Sequence, residues 1–231
     1  MLTKIDRLIA IIGILLSTAY FTGEALAQSY RFSSNHPNAI LGFPENYSGD
    51  DMAFISHRGQ GPFDNALALN VPDKPISDLR NNISSFIGRR LEFFQGWSLN
   101  GEAHVTVITP PEYKNILSKH VTMDAIENIA QSADIQSANI EVYGVGSGRK
   151  KVDGKVEETY FLIVDSSKLR QIRHLIWEEY VRSGGRPNDW DPTWFFPHVT
   201  IGFTKQDIHE PDAIKNTKYS FDSRFTLDAT R

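Results

Sequence analysis

Two apolar runs carry the same interruption. One is Ala103-His104-Val105-Thr106-Val107-Ile108 and the other is Phe195-Phe196-Pro197-His198-Val199-Thr200-Ile201-Gly202-Phe203. Both are rich in β-branched residues, and successive side chains of a strand point to opposite faces. Read as strands, His104, Thr106 and Ile108 share one face while Val105 and Val107 take the other. In the second run His198, Thr200 and Gly202 share a face, and Val199, Ile201 and Phe203 point away. The apolar sets belong to a core. Each strand then offers an imidazole and a hydroxyl side by side on its other face.

The remaining pattern supplies the elements around these strands. Ala66 to Pro72 is a short strand closed by proline, and Ile76 to Phe94 carries Leu79, Ile83, Phe86, Ile87 and Leu91 at helical spacing, with Ser77 or Asp78 to cap its start. Gly96 and Asn100-Gly101 punctuate the approach to His104, and Thr109-Pro110-Pro111 ends that strand because proline cannot donate to a ladder. Helical segments follow at Glu112 to Leu117 and Met123 to Ala133. Ile140 to Gly146 and Thr159 to Asp165 are strands joined by a polar loop, Ser147 to Lys155; its four basic residues suit a solvated hairpin tip better than a phosphate contact. Ser166 caps a helix from Leu169 to Val181 that Gly184-Gly185 stops, and Tyr219 to Leu227 alternates as a closing strand.

The N-terminal part has a different character. Residues 1–27 form a secretory signal peptide by pattern: Lys4 and Arg7, an apolar run from Leu8 to Phe21, and Ala25-Leu26-Ala27 as a cleavage site before Gln28. That run is shorter than the roughly 20 residues of a membrane helix, so no stable span is expected after cleavage and the mature protein is expected to be secreted or periplasmic. Residues 28–64 are an extension rich in Ser, Asn, Gly and Pro, with Met52 to Ile55 as its one candidate strand. His57-Arg58-Gly59-Gln60-Gly61 suits an ordinary glycine turn better than an anion-holding loop. Residues 65–231 are one globular domain, expected to be a monomer.

Composition narrows the chemistry. The chain of 231 residues has no cysteine, which excludes disulfides, thiolate nucleophiles and cysteine metal sites. A formal charge of −4 argues against a long nucleic-acid track and leaves room for a nucleotide or an RNA end. Asn46-Tyr47-Ser48 and Asn82-Ile83-Ser84 are glycosylation sequons, relevant only in a eukaryotic secretory host.

A single His-x-Thr has no weight, since His120-Val121-Thr122-Met123 is a third copy. That copy leads into Met123, Ile126, Ile129, Ala130 and Ala133, a helical spacing with Thr122 at the N-cap position, so it is set aside. His36, His57, His174 and His209 are assigned to surface or structural roles. The remaining pair, His104-Val105-Thr106-Val107 and His198-Val199-Thr200-Ile201, resembles the two His-x-Thr motifs of the two-histidine (2H) phosphoesterases, which include RNA 2′,3′-cyclic phosphodiesterases, 2′,5′-RNA ligase-like and Swiss army knife RNA-repair-like proteins. The resemblance spans Asn65 to Lys205. It implies an α+β, bilobal fold with two similar lobes around a central groove. It also implies a metal-independent phosphodiesterase with no cofactor, whose catalytic residues are His104, Thr106, His198 and Thr200.

The residue types suit that chemistry. Opening a cyclic phosphate or a 2′,5′ bond needs a base for the attacking oxygen and an acid for the departing one, and two imidazoles provide both near neutrality. A bell-shaped pH profile centred near neutrality follows for unperturbed imidazoles. Threonine hydroxyls donate to the non-bridging oxygens. A zinc site lacks a clear third ligand and leaves both threonines unexplained. Tyr113 and Trp194 flank the two motif strands and are the candidates to stack on a base. The other function class is an exported binding module that holds a nucleotide or phosphorylated ligand without turnover.

Overall fold

The computed structural model describes residues 38–59, 61, 63–94, 102–209, 212–215 and 219–230. The expected leader, His36, and the turn residues Gly96, Asn100 and Gly101 lie outside the described residues. In chain order the elements are β1 (Ala39–Pro44), β2 (Leu67–Pro72), α1 (Asp73–Ile87), β3 (Glu102–Ile108), α2 (Pro110–Asn115), α3 (Met123–Ser132), β4 (Glu141–Val152), β5 (Lys155–Asp165), α4 (Ser167–Arg182), β6 (His198–Phe203) and β7 (Phe225–Thr230). The chain is α+β. Five strands make an antiparallel sheet in the order β2-β3-β6-β5-β4, and β1 pairs in parallel with β7 in a second, two-stranded sheet. Among the described residues no helix is long and apolar enough to cross a membrane.

The five-stranded sheet places the motif strands side by side at its centre. A strand–helix–strand unit occurs on each side of their junction: β2-α1-β3 on one, β5-α4-β6 on the other. Across the middle of the sheet, Leu69, Val105, Val199 and Leu162 stand in one row and are fully buried. Together with Ile76, Leu79 and Ile83 of α1 and Leu169, Ile172, Ile176 and Tyr180 of α4, they form the hydrophobic core. Both helices present i, i+3, i+7-type stripes, so the apolar face of the sheet is covered by helix.

Local signals fixed several boundaries in ways the apolar pattern misjudged. α1 begins at Asp73, directly after Pro72, with no side-chain cap; Ser77 instead bonds back to the Lys74 carbonyl and Asp78 pairs with Lys74. Pro75 falls within the first turn, where a missing N–H costs nothing. The helix ends at Gly88, whose φ of 64° is the left-handed terminator, so Leu91 belongs to the next segment, where Glu92 bridges Phe203. The polar stretch 147–155 is no loop: β4 and β5 continue through it to a two-residue turn at Asp153-Gly154, with φ of 50° and 80°. Positive φ at both central positions suits the right-handed twist of a hairpin. Arg149 and Lys150 there pair with Glu158 and Asp212.

The ends of the chain differ most from expectation. Met52 to Ile55 forms no strand; the strand of this region is β1, and Tyr47 and Phe43 reach the core in edge contact at 4.9 Å. The Gln136 amide holds the segment down, donating to the carbonyls of Gly49, Met52 and Asn70. The closing strand is Phe225–Thr230 rather than 219–227, and Phe221 makes only an isolated bridge to Gly146. Because β7 pairs with β1 and not with the large sheet, its position depended on a partner some 180 residues upstream that no local pattern announces.

Candidate active site

Val105 and Val199 are directly paired between antiparallel β3 and β6. That register sets His104 beside Thr200 and Thr106 beside His198, all four on the same face, with the two imidazoles on one diagonal and the two hydroxyls on the other. The outer strands extend both rows. Asn70 on β2 lies opposite His104 and Phe161 on β5 opposite Thr200; Ala68 lies opposite Thr106 and Ile163 opposite His198.

Each motif strand carries an irregularity just after its threonine. On β3 the register moves from Ala68↔Thr106 to Leu67↔Ile108 and leaves Val107 unmatched; on β6 it moves from Phe161↔Thr200 to Tyr160↔Gly202 and leaves Ile201 unmatched. An extra residue reverses the alternation beyond it. Ile108 and Gly202 therefore face the helices, not the histidines as strict alternation has it, and Phe203 returns to the histidine face. The space at Gly202 agrees: a Cβ there would stand 2.8 Å from the Glu92 carbonyl and close to Arg80. Each unmatched residue has its carbonyl held by an arginine from the opposite unit. Arg173 on α4 donates to the Val107 oxygen at 2.6 Å, and Arg80 on α1 donates to the Ile201 oxygen at 2.6 Å.

The histidine face is not open. His104 and Thr200 are each 7 % exposed, whereas Thr106 and His198 are half-buried. The Phe63 ring packs on His104 at 4.8 Å between centroids, and His57 stands edge-on to Phe63 at 5.2 Å. His57 also sits against Asn70. On the other flank Phe161 makes an edge contact with His198 at 5.8 Å, and the Lys215 ammonium lies 5.7 Å from the Phe161 ring. Lys215 is buried and donates to both carboxylate oxygens of Asp207, at 2.7 and 2.9 Å; the Thr159 hydroxyl donates to the same carboxylate at 2.6 Å.

These surroundings hold both imidazoles neutral. Burial pushes His198 down to about 3, with the Lys215 cation acting in the same direction. Burial likewise pushes His104 down to about 3, helped by His57 and Lys215. His57 is lowered, again chiefly by burial. The tautomer of His198 is also fixed. Its Nδ1 lies 2.9 Å from the Phe196 carbonyl, which can only accept, so the ring proton is on Nδ1 and the Nε2 lone pair points away.

A family model described as the Swiss Army Knife 2H phosphoesterase domain matches residues 67–209. The chain belongs to the 2H phosphoesterases. Members of that family are phosphodiesterases. No curated protein and no solved structure matches the chain. The 2H match takes in both His-x-Thr motifs and Asp207, and leaves out His57, Phe63 and Lys215.

Sequence reasoning about this 2H domain placed some side chains well and others poorly. His120 stands at the end of α4, its Nδ1 3.2 Å from the Ser183 carbonyl and its ring edge-on to Tyr180, while Thr122 caps α3 by accepting from Ala125. Tyr113 packs partly buried against the core, where its hydroxyl accepts the Met123 N–H and ties α2 to α3. Trp194 is 57 % exposed and edge-on to Phe196 at 4.9 Å, two residues before His198. In the glycine turn, Arg58 pairs with Glu127 and Asp124, and the Gly61 N–H donates to Asp64. The chain's own carboxylates thus occupy what was considered as an anion loop. Sequence reasoning missed Asn70, though one signal was there: a lone amide inside an apolar strand. Phe63, His57, Phe161, Asp207 and Lys215 carried no such signal, since only folding brings them to the histidines.

Proposed function

We propose that this protein is an exported, metal-independent phosphodiesterase that opens 2′,3′-cyclic phosphates or cleaves 2′,5′-linked nucleotides at RNA ends by two-histidine acid–base catalysis. The observation that carries this reading is the rectangle of His104, Thr200, Thr106 and His198 on paired strands. A phosphorus above its centre has an imidazole on each of two opposite sides and a hydroxyl donor between them on each flank. In-line displacement needs that disposition of base and acid.

His198 is the base in this reading, because its Nδ1 proton is committed to Phe196 and its Nε2 carries the lone pair. His104 is the acid. The recurrence of strand–helix–strand about the β3–β6 junction supports the bilobal arrangement, and Phe63 and Phe161 flank the motif face on which the substrate would bind. Trp194, exposed and edge-on to Phe196 just ahead of β6, stacks on the base of the substrate in this reading. The leader pattern supports export to a secreted or periplasmic location, with the mature protein acting as a monomer.

The lowered values of both imidazoles favour a second reading, a binding module without turnover, since a neutral His104 is a far weaker acid than an imidazolium. An entering phosphodiester anion reverses this by raising the imidazoles beside it. One assay separates the two: full-length mature protein incubated in EDTA with a panel of 2′,3′-cyclic nucleotides and 2′,5′-linked dinucleotides. Turnover in EDTA is expected. Binding without product across the panel leaves the module reading, and turnover that chelation reversibly abolishes overturns the metal-independent scheme.

A further inference from the structure

The Lys215–Asp207 pair is set apart from the other ion pairs by burial and by position. Both side chains are almost wholly enclosed, at 3 % and 4 % exposure. The pair stands against Phe161, the cross-strand neighbour of Thr200, and Phe161 in turn touches His198. Thr159, two residues along β5 from Phe161, fixes the carboxylate from below, and the exposed His209 approaches its other oxygen at 3.4 Å. Enclosing two charges costs solvation that their attraction seldom exceeds, so such a pair is a poor device for stability. Other ion pairs near the ends of the sheet, such as Lys150–Asp212 and Lys205–Asp153, are made in solvent and away from the motif face.

We propose that Lys215 is a phosphate-binding residue: its ammonium takes a non-bridging oxygen of the bound phosphodiester, and Asp207 holds it in place until the anion arrives. This rests on the reading of the rectangle as a phosphodiesterase site, and extends it to a residue beyond the family match. An ammonium has three N–H donors, and the Asp207 oxygens account for two. The ammonium stands 5.7 Å from the Phe161 ring, which itself meets His198 at 5.8 Å, and its charge acts to lower both motif imidazoles. An anion seated between the ammonium and the imidazoles would answer that cation. The site would therefore bind a phosphodiester anion in preference to a neutral analogue of the same shape, and binding would itself raise the imidazoles toward protonation.

The test uses the mature full chain and inorganic phosphate as the probe. Lys215→Met alone leaves Asp207 buried without its partner, so the informative variant is Lys215→Met/Asp207→Asn, which removes both charges and keeps an acceptor for Thr159. Calorimetric titration should show phosphate binding weakened about tenfold or more, with KM for a 2′,3′-cyclic nucleotide raised by a like factor and kcat changed less. Lys215→Arg should restore most of the loss. If the double variant does not fold, the wild-type protein still decides: the side-chain ammonium resonance of Lys215 should move on addition of phosphate. Unchanged phosphate affinity in a folded double variant, or a Lys215 resonance indifferent to saturating phosphate, overturns the proposal. Phosphate binding that depends on Lys215 in a protein with no turnover would support it while removing the enzyme reading.

Discussion

His104 stands on β3 between Asn70 and Thr200, with a bulge at Val107 two residues past Val105. His198 stands on β6 between Ile163 and Thr106, with a bulge at Ile201 two residues past Val199. Up to this point the two halves match, down to the arginine that each helix sends across to hold the other half's bulge carbonyl. Beyond the backbone they part. The His104 flank is closed by Phe63 and His57, which come from the segment ahead of β2; the His198 flank is closed by Phe161 and by the Lys215–Asp207 pair from the segment after β6. The likeness places two equivalent imidazoles. In the proposed mechanism the difference in what covers them gives each a separate task, because neighbouring charges and hydrogen bonds, not strand geometry, decide which nitrogen carries a proton.

The sharpest way to break the comparison is to remove one imidazole at a time. His198→Ala and His104→Ala should each lower kcat/KM by about 10²–10⁴, and the double variant should be little worse than either, since acid and base act as a unit. Steady-state kinetics on a 2′,3′-cyclic nucleotide checks this. Losses that multiply would mean that the two residues work independently. His120→Ala, at the far end of α4, should leave the kinetics as they are.

The paired arginines should be unequal in stability. Arg173 is fully buried and donates to Val107, Pro192, Asp191, Trp194 and the Glu112 carboxylate, so Arg173→Met leaves several carbonyls without a donor and Glu112 without its counter-charge, and should cost about 3 kcal/mol or more. Arg80 holds the Ile201 carbonyl and Asp73 and covers Phe93, with slight exposure. Arg80→Met should cost about 1–2 kcal/mol. Urea unfolding midpoints of the two variants compare them directly, and equal losses would deny the asymmetry.

A gentler probe is pH. Both motif histidines have folded values near 3, against about 6.5 in an unfolded chain. Below pH 6.5 the unfolded chain therefore takes up protons that the folded one refuses, so stability is complete above 6.5 and declines as pH falls toward 3. Thermal unfolding between pH 7 and 4.5 should show this decline, and His104→Asn or His198→Asn should flatten it. For the same reason the kcat/KM profile, which reports the free enzyme, should peak on the acid side of 6.5, below the neutral centre that unperturbed imidazoles give. A peak at or above 7 would show that the two flanks do not hold their histidines neutral.

How far the sequence reached can be seen at three places. The alternation around Val105 and Val199 put His104, Thr106, His198 and Thr200 on the face away from the helices, where the strand register has them, because a side-chain period of two is a property of the extended backbone itself. It failed at Ile108 and Gly202. A bulge is set by what the neighbouring strand and a remote arginine can accommodate, and neither is visible along the strand. Tyr113 shows a different limit. Sequence proximity to a motif strand suggested a stacking role, but the capping box of Thr109 and Glu112 turns the chain into α2 and carries the ring to the core.

The sequence by itself determined two strands that each carry an imidazole and a hydroxyl on one face, the helix that follows the third copy, and the apolar stripes that cover the sheet. Each depends on the chain's local period, and residues within a few positions of one another suffice to express it. Only the tertiary structure decided that Val105 meets Val199, that Phe63 and Phe161 close the two flanks, and that Lys215 and Asp207 lie buried against the motif face. Those contacts join residues tens of positions apart or more, and the burial that neutralises the imidazoles exists only once all of them have packed together.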